Sequence, residues 1–332
     1  MPKLRIALAQ TSPVSASLGT IPEQPFTNID TNLRDIAARV AEAKANGADV
    51  VVIPEYGTQG IVDGRQYLTF PAEHIFTFLR KVAVKNGVCL VGTVVVGTPH
   101  AAVTRLMPRH SPFHHLLDPS VTTQTGEQME WAEWMQGYVQ TQETPPTLKN
   151  EAFFIDENGE MIGTYTKRNL WHPERNYLTA GQTGNRAFDT KWGKAGLLIC
   201  WDMSHPSDAQ VLADQGVDLI FVPTYWTATD SHPQLLEFEH EPDYERNMVT
   251  SLCFARACET ETVWVMCNPG GGGEFMGGSG VWQPLRGRVG GFTASDVGIA
   301  YVDIDTDGLK AARELYKIRE DFASTALERH VK

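Results

Sequence analysis

Cys200 ends the apolar run A-G-L-L-I (195–199) and is followed by W-D-M-S-H-P, so a buried strand is expected to stop there and a turn to lead into a helix. A side chain at that point stands at a sheet edge, beside free backbone N–H groups and the positive end of the next helix. Both lower a thiol's pKa and favour the thiolate, the nucleophilic form. A buried structural cysteine fits the same position, and position alone does not separate the two. A nucleophilic thiol needs a base. His205 is close in sequence, without a Cys-His signature to support it. Glu55 follows V-V-I-P, again just past an apolar strand. Parallel strands of an α/β sheet bring their C-terminal ends to one side, where ligands bind, so two strand-end groups can meet although far apart in the chain. Lys167 ends G-T-Y-T-K, and an ammonium near an attacked carbonyl stabilises the oxyanion that develops. Taken singly, an ordinary loop carboxylate and a solvated strand-end lysine are the commoner identities of Glu55 and Lys167. The three gain meaning together.

The elements that must position them alternate between strand and helix. Residues 4–9 form an apolar strand. Ile29, Leu33, Ile36 and Val40 recur by threes and fours between Asn28 and Asn46, one helix face, with Gly47 placed to end it. A strand at 48–54, a helix at 73–86 stopped by Gly87 and a strand at 88–97 follow. This alternation indicates an α/β layered architecture. It breaks between about 98 and 150, an insertion without clear period, which suggests a functional lid. The Asn158-Gly159 step between two apolar runs then predicts a hairpin. Strands at 195–200, 217–223, 262–267 and 298–304, with helices at 206–215, 242–259 and 307–317, complete a chain read as one domain over 1–332.

Composition removes several function classes. The net charge of −12 and the lack of a Lys/Arg cluster disfavour nucleic acid and anionic membrane surfaces. No apolar run of about 18 residues exists, and the N-terminus reads as a strand and turn rather than a signal peptide. Five widely spaced cysteines form no C-x-x-C pair, so neither a disulfide framework nor a zinc knuckle is indicated. The expected compartment is reducing and cytoplasmic. His110, His114 and His115 lack metal-ligand spacing, and the glycine-rich stretch at 268–280 lacks the Lys-Ser/Thr of a phosphate loop. Trp131 and Trp134 fit a pocket wall and a core face equally well.

Pro54-Glu55-Tyr56, Tyr165-Thr166-Lys167 and Ile199-Cys200-Trp201-Asp202 stand in an order and spacing that resemble the nitrilase superfamily of carbon–nitrogen hydrolases. Glu174, seven positions beyond Lys167, matches a further glutamate of many members. V-P-T at 222–224, F-A-R-A-C-E-T at 254–260 and N-P at 268–269 also look like the family. P-E-Y-G-T-Q-G at 54–60 is similar to the aliphatic amidases and formamidases, and I-C-W-D to the N-carbamoylputrescine amidohydrolases; nitrilases more often carry C-W-E. Ser207 and Asn169 depart from the pattern, where a glutamate and a histidine are common.

The resemblance implies a four-layer α-β-β-α sandwich, often extended across a homodimer or larger homo-oligomer. It implies Glu55 as base, Cys200 as nucleophile, and Lys167 with the Trp201 backbone N–H as oxyanion donors, Glu174 supporting. No metal or organic cofactor is implied. The substrate class is a small amide, an N-carbamoyl compound or a nitrile, the first two favoured. A catalytically silent binding protein on the same scaffold is the alternative from another class.

Overall fold

Along the first strand, β1 (Leu4–Gln10), Leu4, Ile6 and Leu8 join one buried cluster and Ala7 and Ala9 another. Side chains alternate across a strand, so a strand apolar at nearly every position must be covered on both faces. The computed structural model describes residues 3–18, 24–98, 107–118, 120, 125–141, 146–238 and 243–329. Strand β1 belongs to one of two six-stranded mixed sheets, with the other sheet on one face and helices on the other.

The first half of the chain contributes α1 (Thr27–Ala45), β2 (Val50–Val52), α2 (Ala72–Asn86), β3 (Cys89–Thr98), α3 (Gly126–Thr141), β4 (Thr147–Ile155) and β5 (Met161–Thr166). The second half contributes β6 (Phe188–Thr190), β7 (Gly193–Leu197), α4 (Pro206–Asp214), β8 (Leu219–Pro223), α5 (Tyr244–Thr260), β9 (Val263–Cys267), β10 (Gly280–Gln283), β11 (Gly287–Gly291), β12 (Gly298–Ile304), α6 (Asp307–Tyr316) and α7 (Ile318–Arg329). One sheet runs β12-β1-β2-β3-β4-β5 and the other β11-β10-β9-β8-β7-β6. In each, three parallel strands form the centre and antiparallel strands the flanks. Ile6, Val52 and Phe154 of the first sheet share one buried cluster with Leu197, Ile220 and Val222 of the second. Ile29, Leu33 and Ile36 of α1 and Ile75, Leu79 and Val82 of α2 cover the outer face of the first sheet. Leu212 of α4 and Val249, Cys253 and Ala257 of α5 pack on the second. The expected four-layer sandwich is the fold observed.

Helix stops and the hairpin follow the expected chemistry. Gly87 ends α2 at φ 59°, a conformation in which its amide satisfies free carbonyls of the last turn. Strands β4 and β5 pair antiparallel around a turn in which Asp156 accepts the amides of Asn158 and Glu160, at 2.9 and 2.8 Å. Among the described residues, no helix is long and apolar enough to cross a membrane.

Other parts differ from expectation. The described residues of the window 98–150 include regular structure, with β4 at its end and α3 across its second half; residues 99–106, 119, 121–124 and 142–145 lie outside the described set. Trp131, Met135 and Tyr138 are buried one turn apart on α3, a period hidden by intervening apolar and polar residues. Trp131 packs edge-on to Phe26 and Trp134 edge-on to Phe70, so both tryptophans cover a core face. The β10–β11 hairpin was not anticipated because its glycines lack side chains to signal a strand. Helix α7 follows Lys317, a non-glycine residue at φ 55°, and was also not anticipated.

Candidate active site

The site lies where the parallel strands of both sheets end. Pro54 and Glu55 leave β2, and the Glu55 amide donates to the carbonyl of Thr224, just past β8, at 3.1 Å. That bond ties a strand end of one sheet to a strand end of the other. Thr224 is itself braced: its hydroxyl reaches the Asn268 side chain at 2.9 Å, and Asn268 also receives the Trp226 amide at 2.8 Å. The V-P-T and N-P motifs therefore brace, from behind, the segment that carries Tyr225 and Trp226 onto the cavity wall. Tyr56 sits at φ 55° with its amide on the Thr93 hydroxyl at 3.1 Å, which turns the chain sharply beside the carboxylate.

Lys167 leaves β5 between two backbone anchors. Its amide donates to the Asn150 carbonyl at 2.9 Å and its carbonyl accepts from the Gly181 amide at 2.8 Å. Gly181 is required there, because a Cβ on it would stand 2.4 Å from the Thr166 carbonyl oxygen. The Lys167 ammonium lies 2.7 Å from Glu55 Oε1 and 2.8 Å from Glu174. A 3₁₀ turn over Pro173–Asn176 carries Glu174, whose carboxylate also receives the Tyr56 hydroxyl at 2.6 Å and the Trp171 amide at 2.8 Å.

Cys200 does not continue β7. It opens a 3₁₀ turn, Cys200–Ser204, at φ 44°. Asp202 holds that turn: it is fully buried and accepts the Ile199 amide at 3.0 Å and both the amide and the side chain of Asn169 at 2.9 Å. Asn169 also donates to Asp208 at 2.6 Å. The departure from a histidine at position 169 thus makes a polar clasp between the Lys167 strand end and the Cys200 turn. From α5, buried Arg256 donates to the Met203 carbonyl at 3.1 Å.

Glu55 and Lys167 are 1% exposed, Glu174 5% and Cys200 6%. Burial pushes the Glu55 carboxyl up to about 7, against the opposing pull of Lys167. Burial, and then the charge of Glu55, holds the Cys200 thiol well above its ordinary value. This corrects the expectation of a lowered thiol pKa: desolvation and a carboxylate neighbour outweigh the Lys167 charge and the Tyr225 amide. Burial works against the charge on Lys167, but Glu55 and Glu174 prevail and hold its pKa above the ordinary lysine value. The resting site therefore joins a neutral thiol to a carboxyl of unusual basicity and a fixed cation.

These groups line a cavity of about 210 Å³. Trp171, Trp201, Tyr225 and Trp226 form an aromatic wall, and Asp63 and Asp230 add carboxylates beyond Glu55 and Glu174. Trp201 packs against Trp171 and Trp226, with ring centroids 4.5 and 5.3 Å away. The structure thus brings together all five residues singled out in the sequence. His115 and His110 lie elsewhere, His115 paired with Asp30 at 2.9 Å and the His110 carbonyl accepting from the Trp131 indole, while His205 packs against Trp201 behind the cavity wall with Nδ1 3.1 Å from the Trp201 carbonyl. Asn150, Tyr56, Tyr177 and the Asn169–Asp202 clasp were not anticipated. Tyr56, Asn169 and Asp202 stood in or beside the quoted motifs without a role assigned, whereas Asn150, between Lys149 and Glu151 in the polar half of β4, left no signal.

The carbon-nitrogen hydrolase family model matches residues 5–103 and 127–314. A Schizosaccharomyces pombe protein named as a probable nitrilase is 31% identical over 172 residues, which is 51% of this chain and 57% of that one. The N-carbamoylputrescine amidase of Solanum lycopersicum is 37% identical over 89 residues, 26% of this chain and 29% of that one. Matches to these curated relatives thus span little more than half of their length, or less. Among solved structures, a variant amidase from Nesterenkonia with the acetamide moiety of fluoroacetamide added at its active-site cysteine aligns with a TM-score of 0.62, 20% identity and 92% of both chains covered.

Proposed function

This chain belongs to the carbon-nitrogen hydrolase family, and from that membership we propose that it hydrolyses a non-peptide C–N bond in a small amide or N-carbamoyl compound through a thioester on Cys200. The observation that carries this reading is the Lys167 ammonium, held between two buried carboxylates in the cavity that the Cys200 thiol also lines.

Glu55 takes the thiol proton as Sγ attacks the carbonyl carbon, and the C=O electron pair moves onto oxygen. A base is most effective when its pKa lies near the working pH, and burial raises Glu55 towards that range. An ammonium has three N–H donors. Two on Lys167 meet Glu55 and Glu174, and the third meets the oxyanion, with the Trp201 amide as second donor. Collapse breaks the C–N bond, and ammonia or an amine departs with the proton from Glu55. Glu55 then deprotonates a water that attacks the thioester, which restores the thiol and releases the acid. Glu174 holds Lys167 in place, itself held by Tyr56 and the Trp171 amide.

A cavity of about 210 Å³ is at the small end of ligand pockets, so the substrate is small. Asp63 and Asp230 on its wall disfavour an anionic group, and the aromatic rings accept an apolar or cationic one. Nitrile hydrolysis through a thioimidate is the second reading, favoured by the alignment to the S. pombe relative. An amide places the developing charge on oxygen, where Lys167 and the Trp201 amide act directly; a nitrile places it on nitrogen, which must be protonated. The test is a panel of matched amides, N-carbamoyl amines and nitriles with ammonia and acid both measured. Higher kcat/KM for amides or carbamoyl compounds is expected; faster nitriles across several pairs would replace this reading with the second.

A further inference from the structure

We propose that Asn150 is a positioning residue that fixes Glu55 and Lys167 relative to each other and reserves one carboxylate oxygen of Glu55 for the Cys200 proton. The inference rests on the roles assigned above to Glu55, Lys167 and Cys200.

Asn150 lies in β4, in line with Ala152 and Phe154 on the face that meets the second sheet. It is fully buried. Its side-chain Nδ2 donates to Glu55 Oε1 at 2.7 Å, while its main-chain carbonyl accepts the Lys167 amide at 2.9 Å. One residue therefore grips the base through its side chain and the cation through its backbone. The Lys167 ammonium also reaches Oε1, at 2.7 Å. With both donors on Oε1, the thiol proton is delivered to Oε2. Asn150 Oδ1, in contrast, is buried with no partner among the described residues. Burying an amide with half its hydrogen-bonding capacity unmet is costly, and an apolar residue would suit this face better unless the donor is needed.

Every charged or titratable group facing Glu55 lies on an element other than β4: Lys167 after β5, Glu174 from the 3₁₀ turn, Cys200 after β7, Tyr225 after β8, and the Tyr56 and Tyr177 hydroxyls. Asn150→Leu and Asn150→Ala change none of them. Each removes a donor that favours the ionised carboxylate, so Glu55 should hold its proton to higher pH.

The experiment records the rate of Cys200 alkylation by iodoacetamide against pH, by mass spectrometry of the Cys200 peptide, for the native protein and both variants. The pH dependence of kcat/KM is measured alongside it. The acid limb is expected to move up by about one pH unit in both variants, the size that loss of a hydrogen bond to a charged group implies, with KM little changed. An acid limb that stays in place, whether rates are normal or uniformly lower, overturns the proposal. The midpoint does not depend on the fraction of folded protein, so either variant suffices. Alkylation needs no C–N bond cleavage, so the result stands apart from whether any amide is turned over.

Discussion

Glu55 and Lys167 form a 2.7 Å ion pair in which each side chain is only 1% exposed. Two charges so far from water are tolerated because each is held by the other and by fixed hydrogen bonds; removal of one strands its partner. Glu174, on the far side of Lys167, makes the ammonium the shared counter-ion of two carboxylates.

Lys167→Ala should therefore harm both rate and stability. Loss of one oxyanion donor typically lowers kcat by about 10²–10³. Removing one member of a buried pair destabilises by about 3–5 kcal/mol. Steady-state kinetics and urea unfolding test the two effects separately. A variant with near-native kcat would remove Lys167 from the chemistry.

Glu55→Gln should abolish turnover, since one group serves both acylation and deacylation. In the proposed mechanism the ionised carboxylate is the active form, so activity should rise with pH through about 7. Because its folded pKa lies above the ordinary 4.5, the folded state holds more protons than the unfolded one between about 4.5 and 7. Stability falls with rising pH across that window. Thermal unfolding of Glu55→Gln at pH 5 and pH 7.5 should show a smaller loss than the native protein; an unchanged slope would contradict the assignment of Glu55 as the raised group.

Cys200→Ala and Cys200→Ser should keep the fold and lose turnover. Iodoacetamide should label Cys200 faster than any other cysteine, although Cys258 is the more exposed, because Cys200 has a buried carboxylate of raised pKa as neighbour. Full activity in the alanine variant, or preferential labelling of Cys258, would count against the nucleophile.

Asp202→Asn should slow the reaction without touching substrate. Asp202 receives three N–H donors, and an amide would turn a donor of its own towards one of them. The expected cost is about 1–3 kcal/mol of stability, with kcat reduced more than KM is raised as the Cys200 turn loosens. Wild-type thermal stability and kcat together would show the clasp to be incidental.

Much of this protein was legible in its sequence because the relevant physics is local. The threes and fours of Ile29, Leu33 and Ile36, the stop at Gly87 and the Asn158-Gly159 turn each depend on neighbours along the chain. So does the fact that Glu55, Lys167 and Cys200 each follow an apolar strand. Tertiary structure decided what those neighbours cannot. Asn150 lies at the end of a window without clear period, and only when β5 and the end of β2 pack around it does its amide gain a carboxylate to hold. Trp131 and Trp134 fit pocket or core until Phe26 and Phe70 face them. The thiol was expected to be acidic from its place at a turn, yet it is held neutral, because desolvation and the nearby Glu55 charge act through space. Residue order gives the type and the strand end of each group; the dielectric around it and the charges opposite it exist only once two distant sheets have closed on one cavity.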